Sequence, residues 1–152
     1  MARTLSDALL AAQQATKVKP AVRVLINNVN YSSRLLFVEH HEEPYRDWAT
    51  IQLNNNDRGL DSVATAATNL LGRRFIIAYG AYTGNNVIEP NGDNAGNEYV
   101  ETADLWVKSQ EMISSEGQLL CQLYCEGQWM YLREQLLMAL VAAVNIVKVD
   151  PS

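Results

Sequence analysis

Cysteine is nearly missing: Cys121 and Cys125 are the only two among 152 residues. That scarcity excludes a disulfide scaffold. It also excludes a thiolate zinc site, which takes four ligands where this chain offers one Cys-x3-Cys pair. If the pair lies on a strand, the two thiols share a face about 13 Å apart at about 3.3 Å per residue. A disulfide brings alpha carbons within about 7 Å, so two buried structural thiols are expected. Basic clusters are missing too, the longest being Arg73-Arg74. With a formal net charge of -5 and a pI near 5.0, nucleic acid is excluded as the main partner. The longest apolar run, "LLMALVAAVNIV" at 136 to 147, is about half the roughly 20 residues that span a bilayer, and Asn145 interrupts it. No membrane-spanning segment is expected. The start, "MARTLSDALLAAQQATK", lacks the basic opening, long apolar core and cleavage site of a secretory signal, so a chain made in a cytoplasm is expected.

What remains is a composition for folding: 48% hydrophobic and 19% charged residues in 17.0 kDa, enough for one domain with a real core. Residues 4 to 15 read as a helix, with Thr4 or Ser6 as N-cap and Leu5, Ala8, Leu9 and Ala12 on one face. "AVRVLI" at 21 to 26 alternates as a strand, "NNVN" turns, and "YSSRLLFVEHHEEP" carries a second strand to Pro44. Ala49, Ile51 and Leu53 alternate with Thr50, Gln52 and Asn54 in a third strand beginning near Trp48. "DSVATAATNLLG" at 61 to 72 has helical spacing, with Asp61 or Ser62 as cap and Gly72 as stop. "RRFIIAYGAY" at 73 to 82 is a buried strand, and 83 to 99 is one long loop rich in Gly, Asn and Pro.

"ADLWVKSQEMI" and "QLLCQLYCEG" flank "SSEG" as a hairpin, with Leu105, Val107 and Ser109 on one side and Trp106, Lys108 and Gln110 on the other. Finally, "GQWMYLREQLLMALVAAV" places Trp129, Leu132, Leu136, Leu140 and Val144 on one helical stripe, broadened by Met130, Leu137 and Val141. The expected fold is therefore mainly β with α+β character. It is an antiparallel β-barrel or sandwich of about six strands, with short helices at both ends and one inserted helix. Residues 1–19 form an N-terminal helical arm, 20–127 the β-barrel module, and 128–152 the C-terminal helix and tail.

The polar clusters yield little chemistry. Setting Gly59 at position six of a calcium loop puts Arg58 at five and Thr65 at twelve; setting Gly96 there gives Ala95 and Thr102. Both loops fail. In "HHEE" at 40 to 43, His40 and Glu42 face one way and His41 and Glu43 the other, at most a two-ligand clip per face. A metal-dependent hydrolase built on His40 and His41 would need a further ligand. Carboxylate pairs such as Glu42 with Asp47, or Glu98 with Glu101, have the residue types of acid–base catalysis, but such spacings are ordinary on a surface. Ser114 and Ser115 lie in a turn with no nucleophile elbow, and the glycines form no phosphate loop. No catalytic residue, cofactor or metal is expected. "NNND" at 54 to 57 reads instead as the end of a strand, where short polar side chains satisfy freed backbone donors.

Several of these segments, taken in order, resemble the N-terminal β-barrel module of tail hub or baseplate proteins of tailed bacteriophages. The matching residues are Leu53, Asn54 to Asp57 and Gly59; then Leu71, Gly72, Arg73, Arg74 and Gly80; then Cys125, Gly127 and Trp129. The resemblance spans roughly residues 20 to 135. Members of that family are usually longer, so the chain is either part of a larger product or one reduced to this module. The resemblance implies a virion structural protein with no catalytic activity, made in the host cytoplasm and carried in the tail. Its partners would be copies of itself, as a trimer or hexamer ring, and other tail proteins. The subunit interface would use Trp129, Leu136, Leu140 and Val144, whose stripe exceeds what a lone surface helix buries. The alternative is a small β-sandwich that binds glycans through Trp106 and the 83 to 99 loop.

Overall fold

The computed structural model describes residues 5–61, 68–84, 96–115 and 117–148, with the side chains of Ser115, Tyr131 and residues 142–148 outside that description. Eight strands form one antiparallel sheet: β1 (Pro20–Ile26), β2 (Val29–Asn30), β3 (Leu35–His41), β4 (Trp48–Asn54), β5 (Arg74–Tyr82), β6 (Asn97–Glu101), β7 (Leu105–Ser115) and β8 (Gln118–Gly127). Helices α1 (Asp7–Gln14) and α2 (Gln128–Lys148) stand at the two ends. The order across the sheet is β2-β1-β5-β7-β8-β4-β3, with β6 paired to the second half of β5. The mainly β, antiparallel expectation holds, with two strands more than expected.

Alternation places the core. Val24 and Ile26 of β1, Ala49, Ile51 and Leu53 of β4, Phe75 and Ile77 of β5, Leu105 and Val107 of β7, and Cys121, Leu123 and Cys125 of β8 form one buried cluster. Strands β1 and β4 are separated in the sheet by β5, β7 and β8, so their side chains meet only because the sheet curls over its apolar face. It does not close into a barrel; a sandwich fits. The edge of β1 is occupied locally. The Tyr31 N–H donates to the Val24 carbonyl, and the Val24 N–H donates to Ser32 Oγ, both at 2.9 Å. The expected turn at 27 to 30 therefore contains a two-residue strand, β2, while the second expected strand opens as a 3-10 turn at Ser32–Arg34 and only then continues as β3, paired with β4. Asn27 and Asn28 form the tight turn between β1 and β2 at φ 48 and 65, a conformation asparagine tolerates.

Three further sequence expectations are amended. The 83 to 99 loop gives up its end to β6, and residues 85–95 lie outside the described residues. Close approach of β6 to β5 needs Gly80, where a Cβ would stand 1.8 Å from the Glu98 carbonyl oxygen. The inserted helix falls largely on 62–67, outside the described residues; Asn69 to Gly72 make turns rather than helix. The third concerns β7. Its register against β8 slips between Val107 and Ser109, leaving Lys108 as an extra residue. This β-bulge exchanges the faces beyond it. Gln110, expected outward, turns inward and ties the chain beneath the core, donating from Nε2 to the Leu60 and Thr68 carbonyls and accepting from the Leu70 N–H.

The other face of the sheet carries a smaller buried layer. Leu25, Ile76 and Ala78 alternate with core residues and are themselves buried. Helix α1, capped by Ser6 Oγ accepting from the Leu9 N–H, packs against β5 and buries Leu9. Arg23, 3% exposed, lies 4.7 Å over the Tyr99 ring and 3.3 Å from Glu101. An arginine is kept at such depth by aromatic stacking and a carboxylate together.

Candidate functional site

Helix α2 leaves the sheet at Gly127, where there is no space for a side chain. A Cβ there would meet Asp47 Cβ at 2.9 Å, and the Gly127 N–H donates to the Asp47 carbonyl at 2.7 Å. The first helical turn is held by Trp129, edge-on to Tyr45 with ring centres 5.4 Å apart. The second is held by Glu134, in contact with bulge residue Lys108, which also stands 4.0 Å from buried Glu126.

Beyond this anchorage the helix is largely uncovered. Trp129 is 59% exposed, Leu136 71% and Leu140 65%, with Leu132, Leu137, Met138 and Val141 exposed beside them. Three of the four expected interface residues thus lie together on one open surface; the fourth, Val144, belongs to α2, but its side chain lies outside the described residues. Leu132, Arg133, Leu136, Leu137 and Leu140 line an apolar groove of about 570 Å³ that starts at Trp129. On the other flank of Trp129 is a cleft of about 590 Å³ lined by Glu42, Glu43, Tyr45, Asp47, Glu101 and Thr102. An apolar groove therefore runs into an acidic cleft with one tryptophan shared between them.

The asparagine corner is built from backbone satisfaction. Asn55, 1% exposed, accepts from the Leu60 N–H at 2.8 Å and donates to Asp61 at 2.8 Å. Asn54 accepts from the Asn56 N–H, Asn56 from the Leu119 N–H, and Asp57 from the Gly59 N–H. Asn54, Asn55 and Asp57 serve donors the turn has freed, while Asn56 reaches across to β8.

The remaining sequence candidates are dispersed. His40 stacks on Tyr79 and His41 on Trp48, with Glu39 3.3 Å from His41. Among the described residues, no group of three or more His, Cys, Asp and Glu is arranged to hold a metal ion. Glu42 and Asp47 do share the acidic cleft, and Glu101 lines it while also facing Arg23, whereas Glu98 contacts Ser6 and Thr83. Trp106 is half-buried and pairs in register with Arg74 at the start of β5. The 83 to 99 loop leaves from the other end of that strand, about 26 Å away at 3.3 Å per residue. Both cysteines are buried and free; burial pushes the Cys121 thiol up to about 11 and raises Cys125 further.

Sequence reasoning missed Tyr45, Lys108 and Arg133 at this surface. Tyr45 adopts φ 66 in the loop after Pro44, and only the proline signalled a turn there. No protein-family model matches the chain, and no curated protein matches its sequence.

Proposed function

We propose that the chain is a structural component of a bacteriophage tail, a hub or baseplate ring protein without catalytic activity. It assembles with copies of itself and with neighbouring tail proteins, is made in the host cytoplasm, and resides in the virion. One observation carries this reading: α2 exposes Trp129, Leu136 and Leu140 on a surface its own sheet does not cover. Apolar surface of this extent on a helix belongs to an assembly contact rather than to water. The ordered resemblance to tail hub proteins supplies the biological setting, as an argument by analogy. Residues carrying that resemblance do backbone work here, at the Asn54–Asp57 corner, at Gly80 and at Gly127, as expected of a scaffold.

The experiment is to purify tailed particles from a host expressing the chain with its neighbouring genes, and to look for its peptides and for antibody label on the tail. Fixed copy number and tail-localised label are expected. Particles that form tails without the chain would overturn the proposal.

A further inference from the structure

We infer that α2 packs in a parallel, in-register bundle of three or more copies of this chain, with Arg133 of each copy seated in the acidic cleft of the next. The inference rests on the self-assembly part of the function proposed above and adds its geometry. From Leu136 to Val144 every residue is apolar, and a helix of that kind is ordinarily buried. Leu132 and Val141, 41% and 51% exposed, are separated by about 180° around the helix at about 100° per residue. A two-stranded coiled coil buries a narrower seam. An apolar arc of half the circumference fits contact with two neighbours at once.

Charge selects a second copy and fixes its direction. Arg133 is the one cation in the groove, and among the described residues it has no ion-pair partner within its own chain. Glu134, beside it, is committed to Lys108. Trp129, one helical turn or about 6 Å before Arg133 along the helix, borders the cleft that carries Glu43 and Asp47. Helical side chains lean toward the N-terminus and cover the preceding turn. In a parallel, in-register neighbour, Arg133 therefore reaches the level of that cleft. An antiparallel neighbour would instead set Arg133 against the uncharged stretch after Gln135, at a desolvation cost. A lipid surface is the poorer occupant: membrane-surface helices carry rows of cations, whereas the base of α2 is flanked by carboxylates.

The test is absolute mass by light scattering over a wide concentration range, at low and high salt, with thermal melting as the folding control. Wild type is expected at three or more times 17.0 kDa. Arg133→Glu and Glu43→Arg should each lower the mass at least threefold while still melting in one cooperative transition, since both residues are exposed. The double variant Arg133→Glu/Glu43→Arg should restore it. Leu140→Cys should form an intermolecular disulfide under mild oxidation, because in register the same residue meets itself; Cys121 and Cys125 are buried and do not compete. Wild-type mass of one or two chains at every concentration overturns the bundle, and so does failure of the double variant to recover or absence of the Leu140→Cys cross-link. A monomer that pellets with phosphatidylcholine vesicles assigns the face to lipid and also overturns it. These failures leave incorporation into tails open, so the two readings fall separately.

Discussion

Arg34 and Asp57 meet end to end: Nη1 and Nη2 of the guanidinium donate to the two carboxylate oxygens at 2.7 and 2.6 Å. The pair joins the 3-10 turn before β3 to the corner after β4, and Arg34 Nη1 also donates to the Asn54 carbonyl at 3.2 Å. These bonds, chiefly those from Arg34 and then the Gly59 N–H, hold the Asp57 carboxyl well below the usual carboxylate range. A folded-state pKa below the unfolded value of about 3.9 contributes stability at higher pH and loses it as pH falls through the folded value. Asp57→Asn is therefore expected to be less stable than wild type at pH 7. The difference should stay constant down to about pH 5 and shrink progressively in stronger acid, as read from urea unfolding at a series of pH values. A difference unchanged at pH 2 would show that the charge is not responsible.

Asn55 should matter more than either asparagine beside it. Its amide is buried and serves the Leu60 N–H and Asp61 together, while Asn56 is exposed. Asn55→Ala leaves a buried donor unpaired and is expected to cost about 1–3 kcal/mol. For a chain of this size that lowers Tm by about 2–4 °C per kcal/mol. Asn56→Ala should cost less than half as much, and calorimetry of the two variants decides the ranking.

Gly80→Ala tests the seating of β6. A methyl group placed 1.8 Å from the Glu98 carbonyl oxygen must push β6 away from β5, at about 1–3 kcal/mol as overpacking goes. Hydrogen exchange should accelerate at the amides of 97–101 while those of β7 and β8 stay protected. Uniform acceleration across the sheet would mean that β6 is not a separable unit.

The two thiols should be inert in the native protein. Burial raises both above the ordinary cysteine range, to about 11 for Cys121, and only the thiolate reacts. At pH 8 a thiol-specific reagent is expected to modify neither until urea unfolds the chain, with a rate difference of at least roughly tenfold. Rapid labelling of one cysteine without denaturant would place a breach in the sheet at β8.

Much of the fold was legible because its cues are local. Alternation of Ala49, Ile51 and Leu53 gave β4 and its inward face, and Asn27-Asn28 gave the turn after β1. The corner at 54 to 57 read as backbone punctuation, and the hydrogen bonds there are of that kind. The bulge in β7 was not placed from sequence: the polar run from Lys108 to Glu111 blurs the change of phase between Val107 and Met112, and pairing with β8 is what locates the extra residue. Strand β6 was hidden because "NEYVE" adjoins a loop and owes its pairing to Gly80 across from it. At the candidate site, the stripe of Trp129, Leu136 and Leu140 was visible in helical spacing. Its connection to Glu43, Tyr45 and Asp47 was not, since that depends on where the β3–β4 connection returns in space.

Lys108 gives one inserted residue two jobs. The slip it creates turns Gln110 into the interior, and its ammonium group holds the root of α2 at Glu134. The interior and the outward-pointing helix therefore share a single point of adjustment. Removing that residue would return Gln110 to solvent and take away one of the contacts at the root of α2 in the same stroke. One residue thus ties the packing of the interior to the footing of the helix.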